Sequence, residues 1–139
     1  TYLHYRLARA TGPLLLQAKA FTDYRDYHDT TIINDWQPEI LPIERGLRIH
    51  TFPEAVPFYL FSDKALLSPQ FEWYEDFLLS EEEYRGQNDV EEDHVYGAQL
   101  RALLQPGETL TIAATTESQV NLNGGDAFAE RLTYENDKL

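Results

Sequence analysis

The stretch from Phe21 to Trp36, FTDYRDYHDTTIINDW, concentrates planar and charged side chains that could recognise a ligand. A plain turn would be better served by Gly, Pro and Asn than by tyrosines and a histidine. Polar and aromatic loops carried on a rigid β scaffold are where proteins tend to place recognition. The stretch is therefore a candidate binding site and not a complete active site. Its candidate residues are Tyr24, Arg25, Asp26, Tyr27, His28, Trp36 and, from a later strand, Tyr74.

The same loop also has a purely structural interpretation. Arg25 would pair with Asp23 or Asp26, and the tyrosines would pack beneath the loop with their hydroxyl groups satisfied by hydrogen bonds. In that case the loop would fix local structure or dock another domain, without contacting a ligand. The residue types alone leave both interpretations open.

Acidic side chains after residue 80 raise the question of glycosidase chemistry. That chemistry needs two carboxyl groups held about 5–9.5 Å apart on a rigid frame, one of them with a raised pKa. Carboxylates beside several like charges in a long polar segment are usually solvated. We therefore predict a solvated acidic face and no catalytic residue among Glu81, Glu82, Glu83, Glu91, Glu92 and Asp93.

Metal and cofactor motifs are weak or missing. Asp23, Asp26 and Asp29 recur at every third position, but the Gly and the terminal Glu of an EF-hand calcium loop are not there. The four histidines are isolated from one another in the sequence and form no ligand motif. The chain has no cysteine, which excludes disulfides and thiolate zinc sites, and it has no Gly-rich phosphate loop. We predict neither a metal nor a cofactor.

The charge balance excludes some classes of binding partner. The 139-residue chain has 24 acidic and 11 basic residues, and its formal net charge of −13 argues against nucleic acid and anionic membranes as ligands. No apolar run approaches the length of about 18 residues that a membrane span requires. With no cationic leader, we predict a cytoplasmic protein. Methionine is absent even at position 1, which suggests an excised piece of a longer protein.

The candidate residues must be positioned by β-structure, because period-two patterning dominates the chain. Alternating or continuous apolar residues predict strands around residues 3–7, 14–20, 38–43, 47–51, 58–61, 71–79, 96–104 and 110–115. Pro42 suits an edge strand. Strands that follow one another without helices between them predict an all-β sandwich of antiparallel sheets.

Three local predictions follow from this pattern. The residues with even numbers from Tyr96 to Leu104 should alternate inward, and the turn at 105–108, with its Pro and Gly, should close a hairpin. On the preceding strand, Trp73 and Phe77 should point to one face and Tyr74 to the other. We expect a sandwich domain over residues 1–117, followed by a linker and a short helix capped by Asp126 over residues 118–139.

An ordered set of short motifs resembles a known family. The motifs are FTDYRDYHDTT, then W-x-P-E (Trp36–Glu39), G-L-R-I (Gly46–Ile49), Trp73-Tyr74-x-x-Phe77, Glu83-x-Arg85-Gly86, an acidic segment (Asp89–Asp93) and a P-G-E turn. Over roughly residues 1–117 the chain is similar to the N-terminal domain of bacterial and archaeal glycogen debranching enzymes of the amylo-α-1,6-glucosidase type.

This resemblance implies a galactose-mutarotase-like β-supersandwich that precedes an α/α toroid holding the catalytic carboxylates. It implies a non-catalytic accessory domain whose partner is the catalytic domain of the same polypeptide. The tyrosine loop would then line an α-glucan channel, with aromatic rings against the C–H faces of the sugars. Two other classes stay open, a stand-alone carbohydrate-binding module and a purely structural β-domain. Exposed sheet edges would also favour a homo-oligomer.

Overall fold

The computed structural model describes residues 1–25, 29–33, 36–86 and 90–138. Within these ranges two sheets face each other across a hydrophobic core, and two helices lie outside them. The strands are β1 (Tyr2–Arg6), β2 (Leu14–Thr22), β3 (Glu39–Ile43), β4 (Gly46–His50), β5 (Phe58–Ser62), β6 (Leu66–Leu78), β7 (Glu91–Leu104) and β8 (Thr109–Thr115). The helices are α1 (Ser80–Tyr84) and α2 (Gly124–Asn136).

Every strand pairing in the two sheets is antiparallel. The five-stranded sheet has the order β1-β8-β5-β4-β3, and the three-stranded sheet has the order β2-β7-β6. The predicted all-β antiparallel sandwich with a short C-terminal helix is therefore confirmed. No helix in the described ranges is long and apolar enough to cross a membrane.

The core lies between the inner faces of the two sheets. Leu47 and Ile49 of β4 are fully buried and pack with Leu60 and Ala98, while Leu110 packs with its neighbours from β7. Alternate residues of these strands point inward, as period-two patterning requires. Each large apolar side chain removed from water stabilises the fold by about 1.5–3 kcal/mol, and this burial is what holds the sheets together.

The predicted turn at residues 105–108 forms, but the predicted hairpin is wrong. Gly107 has a φ of 87°, and the Glu108 N–H donates to the Gln105 carbonyl at 3.0 Å. Yet β7 belongs to the three-stranded sheet and β8 to the five-stranded one. The Gly107 N–H donates to the Leu7 carbonyl at 2.7 Å, so this turn bonds to the chain after β1 and links the two sheets.

One extra residue in β7 reverses which side chains point inward. The pairing with β2 shifts between Ala20 and Phe21. Ala20 is paired with Ala98 and Phe21 with Tyr96, so Gly97 is the additional residue. A Cβ built on Gly97 would lie 3.6 Å from the buried Ile49 side chain, so this position faces the core together with Ala98. Such a β-bulge moves the following residues to the other face. Tyr96, predicted to point inward, therefore lies on the outer face.

A second irregularity corrects the assignment of β6. The pairing of β6 with β7 shifts between Tyr74 and Phe77, and Asp76 has a φ of 61°. The extra residue brings Phe77 to the same outer face as Tyr74, whereas Trp73 points inward and packs against Trp36 with ring centroids 5.4 Å apart. The prediction that Trp73 and Phe77 share a face is wrong, because strict alternation does not continue through a bulge.

The C-terminal helix begins earlier than predicted. Asn123, not Asp126, is its N-cap, and its side chain accepts from the backbone N–H groups of Gly125 and Asp126. Gly124, the first residue of α2, is buried against β1. It lies so close to this strand that a Cβ at Gly124 would be 2.4 Å from the His4 ring. The division at residue 117 stays a prediction.

Gly46 provides a test of how tightly β4 packs on β5. A Cβ at Gly46 would lie 2.3 Å from the Leu60 carbonyl oxygen and 2.8 Å from the Phe61 ring. We expect Gly46→Ala to lower the free energy of unfolding by about 2 kcal/mol, because backbone must move to accept the methyl group. Gly12→Ala is the control, since nothing lies within 4 Å of that position. Urea denaturation measures the free energy of unfolding of both variants. Equal values for Gly46→Ala and Gly12→Ala would contradict the packing described.

Candidate functional site

An aromatic cluster lies on the outer face of the three-stranded sheet. We call it the aromatic face and define it as Phe21, Tyr74, Phe77, His94 and Tyr96. Phe21 lies at its centre, with ring centroids 5.0 Å from Tyr74, 5.9 Å from Phe77 and 5.9 Å from Tyr96. Phe21 and Phe77 stay 38% and 39% exposed, so flat apolar surface remains available to a ligand.

Lys19 supplies a positive charge at one side of this face. Its ammonium nitrogen lies 4.6 Å from the ring centroid of Tyr74 and 4.7 Å from that of Tyr96, and it donates a hydrogen bond to the Tyr74 hydroxyl. Cations over aromatic rings at such distances are attracted by the ring electrons. The hydrogen bond to Tyr74, more than the nearby charges, raises the pKa of Lys19. The ammonium group is thus held over the rings.

A histidine–carboxylate pair lies at the other side. The His94 ring packs against Phe77 with centroids 4.5 Å apart, and its Nδ1 lies 2.7 Å from the Asp23 carboxylate. Burial raises the pKa of Asp23, while the hydrogen bond to His94 acts in the opposite direction. The aromatic face therefore combines apolar rings with ammonium, phenol, imidazole and carboxylate groups that can exchange hydrogen bonds with a polar ligand.

The loop after β2 is fastened by an ion pair to an acid that the sequence interpretation had left among the solvated ones. Arg25 pairs with Glu92 of β7. Asp26, one of the two partners predicted for Arg25, lies outside the described residues. The Glu92 side chain is only 3% exposed and also accepts the Thr31 N–H at 3.2 Å. A buried carboxylate needs such partners, because an uncompensated charge would cost several kcal/mol.

The prediction of a solvated acidic face is thus wrong for Glu92, and Asp93 is also engaged. The Asp93 carboxylate accepts the Ile33 N–H at 2.7 Å and the Asp76 N–H at 2.9 Å. These acids connect the segment at residues 29–33 to the sheet. Glu81, Glu83 and Glu91 are exposed, as predicted.

The structure separates the residues that the sequence grouped as one site. Tyr24 packs against Phe52 with ring centroids 5.0 Å apart, and its hydroxyl accepts the Val56 N–H at 3.3 Å. Trp36 is 8% exposed and lines a shallow depression of about 670 Å³ together with Phe52. Tyr74 belongs to the aromatic face instead. Three other candidates, Asp26, Tyr27 and His28, lie outside the described residues.

Sequence reasoning missed Phe21, Phe77, His94, Tyr96 and Lys19 as members of one surface. They come together because two bulges change the alternation, and a strict period of two places Tyr96 and Phe77 incorrectly. Gly97 was the available signal, since an isolated glycine within a strand pattern often marks a bulge. The deviation at Asp76 had no comparable signal.

Three potential metal ligands lie close together beside this face. Asp23, Glu92 and His94 each offer a ligand atom, and these atoms lie within 4.8 Å of one another. However, Arg25 already neutralises Glu92, and Asp23 is bonded to His94. The group is therefore satisfied by its own hydrogen bonds and ion pair.

Arg25, which pairs with the buried Glu92, should contribute more to the stability of the fold than Arg48, which pairs with an exposed carboxylate. Arg25→Met should lower the free energy of unfolding by about 2–4 kcal/mol, because it leaves Glu92 buried without its cation. Arg48→Met is the control. Both arginine side chains are 28% exposed, but the partner of Arg48, Glu39, is 60% exposed, so its loss should cost less than about 1 kcal/mol. If urea denaturation shows that the two variants lose similar amounts of unfolding free energy, Glu92 is not held as described.

Asp23 predicts a pH dependence with a definite sign. Because its pKa is raised in the folded state, Asp23 stabilises the fold at low pH, and this contribution is lost as pH rises through the raised pKa. Asp23→Asn stays neutral throughout. We expect the stability of Asp23→Asn relative to the wild type to increase as the pH rises from about 4, the ordinary pKa of an aspartate, through the raised pKa of Asp23. Thermal unfolding across this range measures the difference, and a decrease would contradict the assigned burial.

Comparison with known proteins agrees with the resemblance. The sequence profile of the family described as "Glycogen debranching enzyme N terminal" matches residues 1–111, from β1 into β8. No curated protein and no solved structure matches the chain significantly. The family match covers most of the chain, including all of strands β1 to β7 and the first residues of β8. The chain therefore belongs to the family of glycogen debranching enzyme N-terminal domains.

Proposed function

We propose that this debranching-enzyme domain is non-catalytic and contributes α-glucan contacts through the aromatic face. The exposed rings of Phe21 and Phe77, beside Tyr74 and Lys19, are the observation that carries the proposal. The parent enzyme would act on α-1,6 branch points of glycogen or related dextrins, as an amylo-α-1,6-glucosidase in the cytoplasm. Its catalytic carboxylates would lie in another domain of the same polypeptide.

The chemistry of the face suits a neutral polysaccharide. Glucose rings offer apolar C–H surfaces, which pack on aromatic rings, and hydroxyl groups, which bond to polar groups at the ring edges. Phe21 and Phe77 supply the apolar surface, while the Tyr74 hydroxyl and the His94–Asp23 pair supply the polar atoms. A net charge of −13 repels phosphate-bearing ligands but not an uncharged glucan.

The carboxylates near the face do not form a free hydrolytic pair. Asp23 and Glu92 lie close together, but a glycosidase needs one carboxylate open to the sugar. Glu92 is 3% exposed and held by Arg25 and the Thr31 N–H. This supports a binding or structural role for the domain. We propose that it also packs on the catalytic toroid of the parent enzyme.

A stand-alone carbohydrate-binding module is the second candidate. It is favoured by the fact that the aromatic face is built from strands β2, β6 and β7 of this chain alone. Both candidates predict glucan binding by the isolated chain. A purely structural β-domain predicts none.

We expect the chain to bind maltoheptaose, measured by isothermal titration calorimetry, and to migrate more slowly in native gels that contain glycogen. Phe77→Ala and Tyr74→Ala should each lower the association constant about tenfold, since a ring contact is worth about 1 kcal/mol or slightly more. Phe71→Ala is the matched control, because Phe71 lies on the same strand and is 51% exposed outside the face.

Circular dichroism should show that each variant remains folded. The glucan proposal is contradicted if the wild type does not bind, or if Phe71→Ala weakens binding as much as Phe77→Ala does. In the first case the structural role remains, and in the second the sugar binds elsewhere on β6.

A further inference from the structure

Strand β1 has one side that no described strand pairs with. Its other side bonds to β8 and the preceding turn. Thr1 exchanges hydrogen bonds with Ala114 at 2.8 and 2.9 Å, and Leu7 donates to the Glu108 carbonyl at 3.0 Å. Because backbone groups alternate along an antiparallel strand, the N–H and C=O groups of the even-numbered residues, Tyr2, His4 and Arg6, point to the free side.

The other edge strands, β2, β3 and β6, carry features that discourage strand addition. Pro42 in β3 and Pro69 in β6 cannot donate a backbone hydrogen bond. Strand β6 also contains two register shifts, and β2 has one opposite Gly97 together with the charged Lys19. Proline, bulges and lysine are the usual protections of an edge strand. By contrast, β1 pairs with β8 in an unbroken register and contains no proline.

Side chains around this edge are apolar and uncovered. Leu3 and Tyr5, opposite Ile112 and Leu110, remain 48% and 42% exposed. On the opposite face of β1, a cavity of about 720 Å³ lies beneath α2 and is lined by Tyr2, His4, Ala127, Phe128 and other residues. A strand added beside β1 would cover Leu3 and Tyr5 on one face and find space for its side chains on the other.

Charge indicates what kind of strand fits. Residues 1–10 contain Arg6 and Arg9 and no acidic residue, although the whole chain carries −13. Of the α2 residues that line the adjacent cavity, Glu130 and Arg131 carry opposite charges, so Arg6 and Arg9 leave this edge locally basic and an acidic strand is attracted to it. A second copy, paired about a two-fold axis, would place His4 against His4 and bring together two chains of strongly negative net charge.

We propose that the free edge of β1 is an acceptor site for an extended peptide segment with apolar residues at alternate positions and acidic residues between them. The segment adds to the five-stranded sheet through the backbone groups of Tyr2, His4 and Arg6. Its apolar side chains cover Leu3 and Tyr5, and an acidic side chain pairs with Arg6. This is strand addition, in which main-chain bonds supply affinity and side chains supply selectivity.

The test uses a fluorescent, end-blocked peptide of about nine residues with alternating isoleucine and glutamate. We expect saturable binding to the full chain in fluorescence anisotropy. A peptide with lysine in place of glutamate should bind at least about tenfold more weakly. Hydrogen exchange should slow at the Tyr2, His4 and Arg6 amides and stay unchanged in β3.

Tyr2 provides matched variants. Tyr2→Pro removes an N–H that faces the free edge and should abolish binding, whereas Tyr2→Ala keeps that N–H and should bind within about threefold of the wild type. Should Tyr2→Pro fail to fold, Arg6→Glu supplies the decision, because it should reverse the preference in favour of the lysine peptide.

Four results would overturn the proposal. They are no saturable binding, equal binding of the glutamate and lysine peptides, unchanged binding by Tyr2→Pro, and a concentration-dependent dimer that protects the same amides. The last result would assign the edge to a second copy of the chain.

Discussion

An extra residue at Gly97 allows β7 to serve two different faces of the molecule. On one side of it, Ala98, Leu100 and the following even-numbered residues fill the core between the sheets. On the other side, Tyr96 and His94 point outward and meet Phe21. No side chain is lost to the core by this reversal, because Val95 points inward and is fully buried. The aromatic face is therefore a consequence of how one strand bends.

Charged groups hold the loop beside this face, in addition to the packing of Tyr24 on Phe52. Glu92 binds Arg25 and Thr31, and Asp93 binds Ile33 and the bulge residue Asp76. Two adjacent acids of β7 thus connect the segment at residues 29–33, Arg25 and the bulge in β6 to one strand. Both carboxylates accept backbone N–H groups, and Glu92, which is only 3% exposed, also pairs with the Arg25 guanidinium group.

The sequence was informative wherever local pattern decides structure. Alternating apolar residues located the strands, Pro42 indicated an edge, and Pro106–Gly107 indicated a turn. Contacts between residues that are far apart in the chain could not be predicted from the sequence. Whether the strands after a turn pair or separate depends on Leu7 bonding to Gly107, and the burial of Glu92 depends on an arginine 67 residues earlier. Trp36 looked like a ligand-facing ring, yet it is 8% exposed and packs against Trp73.

These observations describe a domain whose rigid sheets present a ring surface on one side and an open strand edge on the other. An NMR titration of the chain with maltoheptaose tests the role of the ring surface most directly. We expect the aromatic ¹H–¹³C signals of Phe21, Tyr74 and Phe77 to shift with increasing glucan, while those of Trp36 and Trp73 stay in place. Shifts at Trp36 and Tyr24 without shifts at Phe21 and Phe77 would contradict the account.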